Sequence, residues 1–266
     1  MLMKQHAKTE WVSLLVWSLI LGALVFFTVW LWDLALTQGM MDDLQAIMLN
    51  VPQAVRGVFG GGDFATLTTW LQFYSFGGFL ALPTIAYAGM FVVGIVNREM
   101  DRRTMEFLIS LPVSRWQVVV SRWANLAVAM LVLQLAQFVA VMLGVFSVGE
   151  TADVGRVLVA ELNAAMLFLA VGSLMLPVSL LTDDYAKGII FTLGVGYGLY
   201  FFHMGAEHAT GFVAKLHGVL PFALYDTRAI LSQGQFPLAD MAALAAYALA
   251  GLGLSIWLFQ RKQIAV

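Results

Sequence analysis

The chain has 266 residues, of which 61% are hydrophobic and only 11% charged, with a net charge of −2. A soluble domain carries about a quarter charged residues, so this chain cannot hide its apolar surface in one water-exposed globule and reads as a polytopic membrane protein. Cysteine is absent, which excludes disulfides and thiolate metal sites, and the near-neutral balance carries no signal for a nucleic-acid partner.

Charge-poor windows predict six transmembrane helices, at about 11–32, 68–97, 120–147, 160–182, 187–206 and 240–260. Each approaches or exceeds the roughly 20 residues that cross the hydrocarbon as helix, and such continuous runs suit helices rather than barrel strands. The expected class is therefore all-α, and six crossings place both termini on one side. Lys4, Lys8, Arg98, Arg102, Arg103, Arg115, Arg122, Lys187, Arg261 and Lys262 share that side, against Arg56, Arg156, Lys215 and Arg228 on the other. The basic excess predicts N-in, C-in.

Residues 1–10 are mixed in charge, and the run that follows is too long for a signal peptide, so it is expected to remain as an anchor. In the first outer segment, Leu44, Ile47, Met48 and Val51 form a stripe opposite Asp42 and Asp43, predicting an interfacial helix that ends at Pro52. Gly60-Gly61-Gly62 lacks the Gly-Lys-Ser/Thr of a phosphate loop and reads as a turn. The second span is longer than one crossing needs. Either its start belongs to an outer loop, or the helix tilts or projects, and Gly77-Gly78 and Pro83 are expected to kink it.

Between the second and third spans lies a charged, amphipathic island, Asn97–Arg115. Met100, Thr104, Phe107, Leu108 and Leu111 recur at helical spacing opposite Arg98, Asp101, Arg102 and Glu106, and Pro112 should stop the helix near Leu111. A surface helix at about 98–111 with one apolar and one charged face is a docking element.

The third span carries Asn125, Gln134 and Gln137, amides that face other helices or a cavity. Glu150–Glu161 reads as a short outer turn, and the fourth span as ending around Pro177 and Thr182. Val195-Gly196-Tyr197-Gly198 coincides with part of a potassium filter. It sits within a continuous apolar helix, so close helix packing is the better account. His203, Glu207, His208 and His217 match no zinc spacing, and no metal site is assigned. Gly218 and Pro221 predict that the long outer segment 211–240 is broken or re-entrant.

The island's order and spacing resemble the membrane permeases of ABC type-2 exporters. Their pattern is an acidic residue, Gly-Thr-Leu-Glu, a Leu-rich turn, Leu-Pro-Val-Ser-Arg and a basic residue opening the third helix. Here those positions read Glu99, Arg103-Thr104-Met105-Glu106, Phe107-Leu108-Ile109-Ser110, Leu111-Pro112-Val113-Ser114-Arg115 and Arg122, with Arg103 replacing the usual Gly. Lys8-Thr9-Glu10, Pro52, Gly60, the Pro221–Asp226 stretch and the closing Phe259-Gln260-Arg261-Lys262 echo the family more weakly.

The resemblance implies a single transmembrane domain over residues 1–266, in the plasma (inner) membrane of a prokaryote with both termini cytoplasmic. It implies a second permease copy or a related permease, and two cytosolic ATPase subunits that carry ATP and Mg. The segment after the second span would be the coupling helix. Glu99, Arg102, Arg103, Thr104 and Glu106 would contact the ATPase, Phe107 and Leu108 would seat the helix, and Pro112, Ser114 and Arg115 would shape the turn into the third helix. No Gly-x4-Gly-Lys-Ser/Thr occurs, so the chain is expected to be no enzyme, with no catalytic residue and no cofactor of its own.

Tyr74, Tyr87, Asn125, Gln134, Tyr197 and Tyr200 are the candidates for lining a translocation route. With no acid or base expected inside the membrane, an amphiphilic or hydrophobic substrate such as a drug, antibiotic peptide or lipid fits. Rival readings are a secondary transporter, which needs ionisable residues within spans and often inverted repeats, and a membrane scaffold or sensor bound to an ATPase. An intramembrane hydrolase would have only Ser173 with His203 to work with.

Overall fold

The structure, a computed structural model, describes residues 2–50, 66–72, 78, 80–101, 114–206 and 209–262. In chain order it places α1 at Leu2–Thr37, α2 at Met40–Asn50, α3 at Leu67–Leu71, α4 at Ala81–Asp101, α5 at Arg115–Ser147, α6 at Val154–Ser179 and α7 at Tyr185–Ala206. Short pieces follow, α8 at Phe212–His217, a 3-10 turn at Pro221–Leu224 and α9 at Thr227–Leu231, before α10 at Leu238–Arg261. No strand occurs among the described residues. Trp11–Thr37, α5, α6, α7 and α10 are long and apolar enough to cross a membrane.

The second expected span is corrected. It is not one helix from 68 to 97 among the described residues. Thr66 caps the separate α3 by accepting from Thr69 N–H at 3.2 Å, and α4 starts only at Ala81, where Ala81 N–H bonds to Gly78 C=O. Pro83 falls in the first turn of α4, where its missing donor costs nothing, so it opens this helix instead of kinking it. Trp70 of α3 is buried and donates to the Thr28 carbonyl of α1 at 2.8 Å, which holds this piece against the bundle.

The fourth span is corrected too. It begins at Val154 rather than about 160, because the Asp153 carboxylate accepts from the N–H groups of Gly155 (2.9 Å) and Arg156 (3.1 Å) and so fixes the cap. Glu161, expected in an outer turn, therefore lies inside the helix and is buried. The segment 211–240 is broken into short pieces as expected.

α6 is the most enclosed of the five long helices and packs against α4, α5, α7 and α10. Its contact with α10 turns on one residue pair. Pro177, lying within α6, cannot donate to the Ser173 carbonyl one turn back, so that oxygen is released from the helical ladder. A Cβ on Gly251 of α10 would stand 2.3 Å from this same oxygen. The missing side chain is what lets the two backbones meet there. The Ser173 hydroxyl also accepts from Trp123 Nε1 of α5 at 2.7 Å, so three helices converge on Ser173.

Contacts set the helix directions. Gly22 faces Ala140, and further along both helices Gly144 faces Val29, so α1 and α5 run parallel. Gly196 meets Ile85 and Gly89 meets Leu193, so α4 and α7 are antiparallel. The expected small-residue packing of α7 is thus present at Gly196, while Gly194 and Gly198 have nothing near them. Bulky apolar side chains such as Leu19, Phe27, Val139, Leu143, Phe191 and Trp257 stay exposed on the outer surface of the bundle, as suits a lipid-facing wall.

Candidate functional site

The helix directions gather the C-terminal end of α4, the start of α5, the end of α6, the start of α7 and the end of α10 at one end of the bundle. Arg115, Lys187 and Arg261 are exposed there, as the basic bias predicts. Asp101 and Ser114, the described residues nearest the middle of the charged island, both belong to this end. Glu99 falls near the end of α4, while Arg102, Arg103, Thr104, Glu106, Phe107, Leu108 and Pro112 lie outside the described residues, as does Tyr74.

Ser114 and Arg115 are described. Ser114 N–H donates to Gln117 Oε1 at 3.0 Å, which covers a donor left open at the start of α5. Arg115 Nη1 donates to the Lys262 carbonyl at 3.0 Å. Lys262 in turn sends Nζ to the carbonyls of Leu180 (2.8 Å) and Thr182 (3.1 Å) and to Asp183 Oδ1 (2.6 Å). The last carbonyls of a helix have no partner of their own, and a cation there meets both these acceptors and the negative end of the helix dipole. The Lys262 side chain is only 13% exposed, so this is more than a surface ion pair. Beside it, the Arg261 guanidinium lies 4.3 Å over the Trp257 ring, an arrangement suited to the membrane interface.

One strap therefore ties the start of α5 to the α6–α7 turn through the end of α10. Lys262→Met would strand two carbonyls and release Arg115's acceptor from a fixed position. The expected cost is about 1–2 kcal/mol, read as a fall in melting temperature of roughly 3–5 °C for the purified protein. An unchanged melting temperature would show that the strap carries no stability.

The candidates for a translocation route fall in separate places. Tyr87 is buried, its ring 5.7 Å from Trp17 and 6.0 Å from Phe91. Tyr197 and Tyr200 donate to the carbonyls of Leu82 (3.2 Å) and Gly78 (2.9 Å), which ties α7 to the start of α4. Asn125 is exposed on α5. Gln134 is buried on another stretch of α5 with its Nε2 unpartnered among the described residues. The structure does not bring these five together.

Other buried polar groups were not assigned to a route by the sequence reading: Gln137 of α5, and Glu161 and Asn163 of α6. The expectation of no acid within the spans is thereby corrected. Asp153 is the signal that could have found Glu161, since an N-cap at that position starts the helix early enough to include it.

His203 and His217 come together, their rings stacked at 4.8 Å with Nε2 of His217 2.9 Å from Nδ1 of His203. Glu207 and His208 lie outside the described residues, and among the described residues no three His, Cys, Asp or Glu side chains cluster.

Comparison with protein families matches residues 7–264 to the ABC-2 family transporter protein. No curated protein matches the chain.

Proposed function

The chain belongs to the ABC-2 family of transporter proteins, and from that premise we propose that it is the permease subunit of an ATP-driven exporter. Such a subunit is a non-enzymatic, multi-pass membrane component. The finer reading is that it pairs with a second permease, binds two cytosolic ATPases, and moves an amphiphilic or hydrophobic substrate outward by alternating access. Closure of the ATPases on ATP would displace the coupling segment, and the helices it joins would pass that motion to the site between permeases.

The observation that supports this reading is that the described ends of the charged island, Asp101 and Ser114, lie at the end of α4 and just before α5. The island's Leu-Pro-Val-Ser-Arg motif continues into α5 and its acidic start continues from α4, and both helices end at the basic end of the bundle. A displacement of the segment between them therefore acts on two helices at once, and through Arg115 and Lys262 on α6, α7 and α10.

A second reading, an ion-coupled secondary transporter, draws on Glu161, because ionisable groups inside a span favour it. Co-expression with the ATPase encoded beside the gene, followed by purification through a tag on the permease, separates the two. We expect one ATPase per permease and ATP hydrolysis by the purified complex. A permease that purifies alone in stable form, with no ATPase retained, would overturn the exporter reading.

A further inference from the structure

Glu161 lies about two turns inside α6 and is 2% exposed. It makes no hydrogen bond or ion pair with another described residue. Two contacts fix what lies opposite. Trp123 meets Ser173 at 2.7 Å, and Leu126 stands 3.1 Å from where a Cβ on Gly172 would be. Eleven residues make about three turns, so stepping that far along α5 returns to the same face, at Gln134 and Gln137. Stepping eleven back along antiparallel α6 from Ser173 and Gly172 reaches Leu162 and Glu161. Gln137 is thus level with Glu161, and Gln134 lies just under one turn away along α5.

Both glutamine Nε2 atoms are buried and unpartnered among the described residues, as is the hydroxyl of Tyr225, which follows the 3-10 turn. Tyr225 joins the 3-10 turn to α9, and both of these pack against α6; burial, and then the Glu161 carboxylate, push its phenol well above the ordinary range.

The other charged and titratable groups at this end, on the elements packed against α6, are bonded elsewhere or open to the surface. Arg156 pairs with Asp153 at 3.3 Å and donates to the carbonyls of Leu231 and Ser232. Asp226 accepts from Ala229 N–H to cap α9. Tyr247 of α10 donates to the Val219 carbonyl, and His203 and His217 bond to each other. Arg228 is exposed and Asp240 half-buried at the start of α10. No positive group among the described residues offsets Glu161, and a lone carboxylate in a low-dielectric interior is strongly disfavoured.

We propose that Glu161, Gln134, Gln137 and Tyr225 form a binding site for one small monovalent cation, a proton or an alkali-metal ion, at the end of the bundle remote from Lys262. One carboxylate cancels one charge, and a divalent ion would want further carboxylates that the described residues do not supply. The remaining ligands are hard oxygens. The amide groups present oxygen where nitrogen now stands after a half-turn, an assignment set by the hydrogen-bond network, and the phenol adds another. A proton would sit on the carboxyl, whose hydroxyl then donates to a glutamine oxygen. Binding does not depend on the exporter reading; only its coupling to transport does.

The test is the melting temperature of the purified full-length protein and its Glu161→Gln variant. Both are titrated with NaCl, KCl or choline chloride at constant ionic strength, and separately from pH 5 to 9. The wild type should gain about 3 °C per tenfold rise in the bound cation, and Glu161→Gln should lose that dependence while melting no lower than the saturated wild type. A dependence on Na⁺ or K⁺ at fixed pH identifies an alkali ion, and a dependence on pH alone identifies a proton.

Equal dependence in both proteins would overturn the site. So would a variant that melts lower under every condition, because that means a lost ion pair. Should the variant not fold, dicyclohexylcarbodiimide labelling of the wild type, read by mass spectrometry at Glu161, decides. Labelling that falls with rising pH or with added alkali cation supports the site, and labelling indifferent to both overturns it.

Discussion

Gly251→Leu is expected to leave no monodisperse protein in detergent, whereas Gly253→Ala, two residues away, should melt within about 2 °C of the wild type. The difference is one of direction on α10. A Cβ at Gly251 would lie 2.3 Å from the Ser173 carbonyl oxygen, 2.5 Å from its carbon and 3.0 Å from its Cβ, while nothing stands within 4 Å of one at Gly253. Backbone cannot rotate aside as a flexible side chain can, so α6 and α10 would have to separate.

Even Gly251→Ala should cost about 1–3 kcal/mol of overpacking, offset by at most about 1 kcal/mol from alanine's better helix propensity. Leucine should exceed that by enough to lose the fold, because α6 packs against α4, α5, α7 and α10 and its displacement disturbs them all. Size-exclusion profiles and melting curves of the three variants read the effect. A Gly251→Leu protein with a wild-type profile would mean that the crossing is not held as described.

The second large effect is functional. Replacing Glu99, Arg102 and Glu106 together with alanine is expected to lower substrate-stimulated transport by roughly 5–150-fold, the range that a coupling free energy of 1–3 kcal/mol spans. The permease's own melting temperature should change little. These three residues lie on the charged face of the predicted helix, opposite the stripe that seats it, so their loss removes contacts to a partner and not to the bundle. Basal ATP hydrolysis measured alongside transport separates uncoupling from a dead ATPase. Unchanged transport in the triple variant would sink the assignment of these residues to coupling, and leave the family membership untouched.

The two variants probe features of opposite legibility. The charged island is visible in the chain because its signal is local: a helical stripe, a terminating proline and a fixed order of acidic and basic residues between two apolar runs. Gly251 sits in Leu249-Ala250-Gly251-Leu252-Gly253-Leu254, where nothing distinguishes it from Gly253. Only the approach of α6 does. The same holds for Pro177, which reads as a helix end. Three-dimensional packing makes it a device that frees one carbonyl for a neighbouring helix. Glu161 was misplaced for a related reason. A span called from apolar windows stops at the first charge, and a carboxylate enclosed by other helices breaks that rule wherever the surrounding bundle replaces lipid.

What the sequence by itself determined is the class of protein, its helical composition, the positions of five long apolar helices apart from the start of the fourth predicted span, the basic end of the bundle and the family. Each follows from local or summed properties, namely hydropathy over about 20 residues, the distribution of Lys and Arg, and one contiguous motif. Only the tertiary structure decided that α6 is the enclosed central helix and that Gly251 rather than Gly253 makes the crossing. It alone showed that Lys262 straps three helix ends together, and that Glu161 is buried inside α6. Those facts depend on which residues meet from segments as far apart in the chain as Arg115 and Lys262, a separation across which hydrophobic periodicity specifies a face but not a partner.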